Sequence, residues 1–296
     1  MTSIDTTMNC AACGKEGGNL NTCNKCKMVK YCNAACKKKH RTKHMKACKK
    51  RVAELHDEAL FKEHPPPEEC PICFLPLPMF ANETIFHSCC GKRICSGCTY
   101  AMDEEARGRG KIGLCPFCRT PEPTSQEEVK RIKKLMEADN AYAFYVLASY
   151  YDRGVKGMPQ DYEKANELYL RAGELGCSNA CYNLGISYSF HGNGVEVDKK
   201  KAKHYYELAA MNGDMNARHN LGCMEGQAGN EHRAHKHFII AAKAGYKKSL
   251  DYVKEGFVNG IVTKEEYANA LRAYQSRQDL MKSDMRDKAM AARNGR

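Results

Sequence analysis

The chain has 296 residues, a formal net charge of +12, no Trp and 18 cysteines. No apolar run reaches the roughly 18 residues of a membrane span, and the opening MTSIDTTMNC is polar, without the core of a secretory signal. A reducing, intracellular location (cytoplasm or nucleus) is expected, and there paired cysteines read as metal ligands and not as a disulfide framework.

Residues 1–9 are expected to be a disordered lead-in. From residue 10 the order is Cys10-x-x-Cys13, Cys23-x-x-Cys26, Cys32, Cys36, His44, Cys48. A C-x-x-C turn sets two sulfurs on one side of a tight knuckle, close to tetrahedral zinc geometry. Cys32 and Cys36 are four apart, as are His44 and Cys48, which predicts that each pair shares one face of a helical turn. Two knuckles and two helical pairs make two four-ligand sites. His40 is the alternative to His44, and the four-residue step to Cys48 favours His44. So short a segment lacks the apolar surface to fold alone, so the metal must supply the stability.

Residues 10–48 resemble the MYND zinc finger. The matching residues are the two knuckles, Tyr31-Cys32, Cys36, His44 and Cys48. By that resemblance the sites interleave: Cys10, Cys13, Cys32 and Cys36 hold one Zn2+, and Cys23, Cys26, His44 and Cys48 the other. Members that bind proline-rich peptides usually carry Gln and Trp where this chain has Lys37 and Arg41. Two cations do not make the aromatic wall of an apolar peptide groove.

Residues 49–69 read as a helical linker. Val52, Leu55, Ala59 and Leu60 lie near helical spacing, and HPPPEE then stops the helix. The next ligands are Cys70-x-x-Cys73, Cys89, Cys90, Cys95-x-x-Cys98 and Cys115-x-x-Cys118. Residues 70–119 resemble an all-cysteine RING finger, with CCGKRIC at the middle pair. The resemblance implies one site of Cys70, Cys73, Cys95 and Cys98 and another of Cys89, Cys90, Cys115 and Cys118. Lys92 stands where many RING fingers have His, and its ammonium is a poor ligand. Gly91 permits the sharp turn that adjacent cysteines need, and His87 is the alternative to Cys89. Four Zn2+ ions are expected in all. Fifteen thiolates and four dications subtract seven charges, which leaves about +5. In RING ubiquitin ligases, residues matching Ile72, Pro116 and Arg119 touch the ubiquitin-conjugating enzyme and ubiquitin. Tyr100 or Met102 would supply the apolar contact from the following helix.

A connecting helix is predicted over 120–138, opened by a capping box of Ser125 with Glu128. The chain then repeats itself over 139–277. Leu147 recurs as Leu184 and Leu221, Lys164-Ala165 as Lys201-Ala202, and Ala172 and Gly176 as Ala209 and Gly213. The later half recurs 32 residues on, as Ala234, Ala241 and Gly245, so the third unit has lost five residues between its helices. A period of 37 with this content predicts helix pairs stacked into a solenoid, and the details resemble Sel-1-like repeats, relatives of the tetratricopeptide repeat. A fourth, weaker unit runs from about 249 to 277. One closing helix is expected over 263–292, opened by Thr263 with Glu266, running into a charged C-terminal helix or tail over 278–296. Cys177 and Cys181 read as small buried residues. The histidines at 191, 204, 219, 232, 235 and 237 read as scatter on the repeat surface.

The fold class is thus multidomain: two small zinc-stabilised α+β modules followed by an all-α solenoid. The resemblances imply a RING-type adaptor ubiquitin ligase without a covalent catalytic residue. Its partners would be a ubiquitin-conjugating enzyme, ubiquitin and an unknown substrate protein. The alternative is a non-catalytic scaffold. A third reading, nucleic-acid binding through the basic stretch 36–51, is not favoured, because such a stretch is more often a solvated helix face.

Overall fold

The computed structural model describes residues 9–17, 19–63, 67–78, 83–109, 113–190 and 194–294. The expected disordered lead-in lies outside the described residues apart from Asn9, as do Pro65 and Pro66 of the spacer and His191. The chain divides into two units, Met1–Lys62 and Glu63–Arg296.

In the first unit, β1 (Asn21–Thr22) and β2 (Lys30–Tyr31) form an antiparallel hairpin with Asn21 opposite Tyr31. Helix α1 (Ala34–Leu60) follows, and the Asn33 side chain caps it by accepting from the Cys36 amide at 2.8 Å. The separate helix expected from residue 49 is continuous with the ligand-bearing one. No Gly or Pro interrupts residues 34–60, and Arg51 ties the later turns to Glu54 and Glu58 at 3.2 and 2.7 Å. The buried cluster of this finger is Cys10, Cys23, Cys26 and Tyr31, with one aromatic ring as its only large apolar side chain.

The second unit opens with β3 (Thr84–His87) and β4 (Lys92–Cys95), antiparallel with Thr84 opposite Cys95, and helix α2 (Ser96–Gly108). Its buried cluster adds only Leu77 and Ile94 to the cysteines. Helix α3 (Ser125–Glu137) starts one residue earlier in its capping frame than the sequence suggested. Glu127 accepts from the Thr124 amide at 2.9 Å, whereas Glu128 is drawn away to the Tyr150 hydroxyl and to Lys156, both at 2.8 Å.

Helix pairs then stack: α4 (Ala141–Arg153) with α5 (Tyr162–Glu174), α6 (Ser178–Ser189) with α7 (Lys199–Met211), and α8 (Met215–Gln227) with α9 (Glu231–Lys243). Helices α10 (Lys247–Val258) and α11 (Lys264–Met281) complete the stack, and the Thr263–Glu266 capping box opens α11 as the sequence predicted. Small residues let paired helices touch. A Cβ on Gly185 would lie 2.4 Å from Tyr206 Cε1, and one on Gly222 would lie 2.4 Å from Phe238 Cε1. Cys177 and Cys181 are buried. His235 and His237 are buried too, and so are not surface scatter; His219 faces the Ser249 hydroxyl at 3.0 Å. The single closing helix is instead two. Lys282 is extended, and α12 (Asp284–Asn294) turns back to pack on α2.

Candidate metal centres and their surroundings

One turn is used four times. The residue after four of the five C-x-x-C pairs is left-handed: Gly14 (φ 72), Lys27 (φ 60), Phe74 (φ 57) and Arg119 (φ 60); the fifth pair, Cys95 and Cys98, runs into helix α2 instead. The amide of each left-handed residue donates to the carbonyl of the first cysteine at 2.8, 3.0, 2.9 and 2.9 Å, in that order. Only Gly14 adopts this region without cost, so three of the four knuckles hold a strained side chain in place. Phe74 is among these and is 72% exposed.

The knuckles bring four ligand sets together: Cys10, Cys13, Cys32 and Cys36; Cys23, Cys26, His44 and Cys48; Cys70, Cys73, Cys95 and Cys98; Cys89, Cys90, Cys115 and Cys118. Within each set the ligand atoms lie within 4.8 Å of one another. Tetrahedral zinc with bonds of about 2.3 Å places its sulfurs about 3.8 Å apart. The sulfurs of Cys13 and Cys32 are 3.7 Å apart, of Cys70 and Cys98 3.9 Å, of Cys73 and Cys95 3.8 Å, and of Cys90 and Cys115 3.9 Å. Cys26 Sγ lies 3.3 Å from His44 Nε2. These separations exceed a disulfide bond and suit a shared cation. In both modules the first and third ligand pairs share one site and the second and fourth share the other.

The electrostatics point the same way. Backbone amides around Cys32 and Ala12 hold the Cys10 thiol down to about 6, while hydrogen bonding to Cys32 and crowding by Cys13 push Cys36 up to about 12. Four such sulfurs cannot all ionise side by side without a cation. Zn2+, a borderline-soft ion suited to S4 and S3N donor sets, fits all four, and at such closed four-ligand sites its role is structural.

The two alternative ligands, His40 and His87, lie outside the four sets. His40 Nδ1 lies 3.1 Å from the Tyr31 hydroxyl, and its ring stacks on His44 outside the ligand set. His87 sits in β3 opposite Lys92, with Nε2 3.4 Å from the Thr99 hydroxyl, while Cys89 joins the fourth set. Gly91 (φ 68) makes the sharp turn, donating to the His87 carbonyl at 2.9 Å.

Around the second module, Ile72 is 37% exposed and Arg119 is exposed, its guanidinium 3.2 Å from Met102 Sδ. Pro116 is buried, and its exposed neighbour Phe117 takes the solvent side, with Lys92 over its ring. Beside the first module, a groove of about 1050 Å³ runs along α1. Met45 and Val52 are exposed on its lining, and Lys37 and Arg41 line it as well. No sequence pattern pointed to Arg286 of α12 reaching Cys73, whose Sγ lies 3.7 Å from Nη2. The two are 213 residues apart, and no local pattern marks such a contact.

The MYND finger family model matches residues 10–48, and the Sel1 repeat family model matches residues 141–177, 178–214 and 216–246. Among solved structures, c5321, a protective antigen of uropathogenic Escherichia coli displaying an SLR fold, is 26% identical with a TM-score of 0.46. The match covers 53% of this chain and 35% of the antigen, so the chain spans about a third of the antigen's length. A Sel1 repeat protein from Oxalobacter formigenes is 22% identical with a TM-score of 0.46, over 61% of this chain and 71% of that one. No curated protein matches the chain. No helix among the described residues is long and apolar enough to cross a membrane. The chain therefore carries a MYND finger, further cysteine clusters built for Zn2+ and a stack of Sel1 repeats, the parts of a protein-interaction scaffold.

Proposed function

We propose that this scaffold is a RING-type adaptor ubiquitin ligase. The second module recruits a charged ubiquitin-conjugating enzyme, and the Sel1 repeats hold the substrate protein. The observation that carries this reading is the interleaved pairing of the second module's eight cysteines, with Arg119 exposed directly after the last of them and beside Met102. Ile72 in the first knuckle would supply the apolar contact with the conjugating enzyme. Arg119, a planar fork of donors, would bridge conjugating enzyme and ubiquitin. Pro116 lies behind this surface and would set the shape of the last knuckle. Catalysis would be by positioning: the thioester is held in a reactive geometry, and no covalent intermediate forms on this chain.

The test is chain formation by the zinc-loaded protein with a panel of ubiquitin-conjugating enzymes. Ile72→Ala and Arg119→Ala should each abolish most of the activity while all four zinc ions remain bound. Equal activity of both variants and the parent would remove the mechanism. The burial of Pro116 favours a second reading, in which both zinc modules only dock proteins. Stable partner binding with no ubiquitin transfer by any conjugating enzyme would select it.

A further inference from the structure

Arg286 is 6% exposed, yet no carboxylate pairs with it among the described residues. One Nη donates to the carbonyls of Pro76 at 3.0 Å and Met281 at 3.2 Å, and the other points at Cys73 Sγ. Cys95 faces the same guanidinium, and Glu83 lies within its field without forming an ion pair with it. A buried cation must be compensated or it costs several kcal/mol. Among the described residues, the anions in contact with it are sulfurs of one metal site. Four thiolates around Zn2+ carry a net charge of about −2, so the two charges answer each other.

The backbone is arranged for this contact. A Cβ on Gly97, in the first turn of α2, would lie 2.7 Å from the Arg286 amide nitrogen and 3.0 Å from its Cα. Glycine at 97 therefore lets α12 settle directly on α2 beside the Cys95–Cys98 knuckle. Met102 lies five residues further on, about 140° around the helix, so this contact leaves the Met102–Arg119 side open.

We propose that Arg286 is an outer-sphere partner of the zinc site formed by Cys70, Cys73, Cys95 and Cys98, and that α12 is the latch that delivers it from the far end of the solenoid. The proposal rests on the zinc reading of that site and needs no ligase activity. The end of the repeat stack completes a metal centre that begins more than 200 residues earlier, and so fixes the second module onto the solenoid.

The experiment follows zinc transfer from the full-length, zinc-loaded protein to a chromophoric chelator. Alkylation of the freed cysteines with mass spectrometry assigns each phase to its site. In Arg286→Met, the Cys70/Cys73/Cys95/Cys98 ion should leave about 10-fold faster or more, the scale of a lost outer-sphere contact, while the other three keep their rates. Arg286→Lys should restore part of the retention, since it keeps the charge but not the fork. Gly97→Leu, which pushes α12 away at the Arg286 backbone while leaving the guanidinium on the chain, should reproduce the Arg286→Met rate. Release of all four ions from Arg286→Met at the parent rate overturns the proposal. So does a uniform acceleration at all four sites, which would mark general loosening. Absence of stoichiometric zinc from the parent protein would instead refute the metal reading beneath it.

Discussion

Asp214 offers a stability test with a defined sign. It caps α8, accepting from the Ala217 amide at 2.8 Å, and it is buried. Burial pushes its carboxyl from 3.8 up to about 6 against the pull of the Ala217 and Asn216 amides. The folded chain therefore keeps a proton that the unfolded chain has released between about pH 4 and pH 6. Stability from this group is present at low pH, is lost as pH rises through that window, and stays lost above it. A displacement of about two units corresponds to about 3 kcal/mol at neutral pH. Asn140 holds the equivalent position two repeat periods earlier and caps α4 through its amide oxygen, accepting from Ala143 at 3.0 Å. Asp214→Asn keeps a cap oxygen and removes the charge. It should raise the urea-unfolding free energy of the helical transition at pH 8 by up to about 3 kcal/mol, and the gap should close towards pH 4. The readout is far-UV circular dichroism across that pH series. A variant no more stable than its parent at pH 8, or a gap independent of pH, would refute the reasoning.

Gly222→Ala should cost about 1–3 kcal/mol by forcing α8 and α9 apart at Phe238, measured as a lower thermal midpoint. A midpoint unchanged within error would mean the helices do not meet so closely. Removal of zinc by a strong chelator should unfold residues 10–119, whose interiors hold little besides cysteine, Tyr31, Leu77 and Ile94, while α4–α10 keep their helical signal. Limited proteolysis that leaves the amino-terminal region intact after chelation would contradict this. Cys89→Ser should lose one zinc ion by native mass spectrometry and His87→Ala should keep all four, because His87 is turned towards Thr99. The reverse pattern would exchange their roles.

Covalent spacing alone made much of this protein legible. C-x-x-C can close only a narrow turn, helical pairs four residues apart share a face, and a 37-residue period with recurring Leu, Ala and Gly at fixed places reads as stacked helix pairs. The ligand types and the repeat register therefore follow from the order of residues along the chain. Other features required the fold. Whether Cys89 or His87 lies beside Cys90 depends on which way a β3 side chain faces across the turn at Gly91. The capping frame of α3 was settled by Tyr150 and Lys156, which compete for Glu128 from α4 and the loop after it. The break at Lys282 and the placement of Arg286 on Cys73 depend on a partner more than 200 residues away. Local sequence sets what each segment is able to do; it carries no record of which distant surface a segment meets, because that meeting is decided by the burial of charge and shape across the whole second unit.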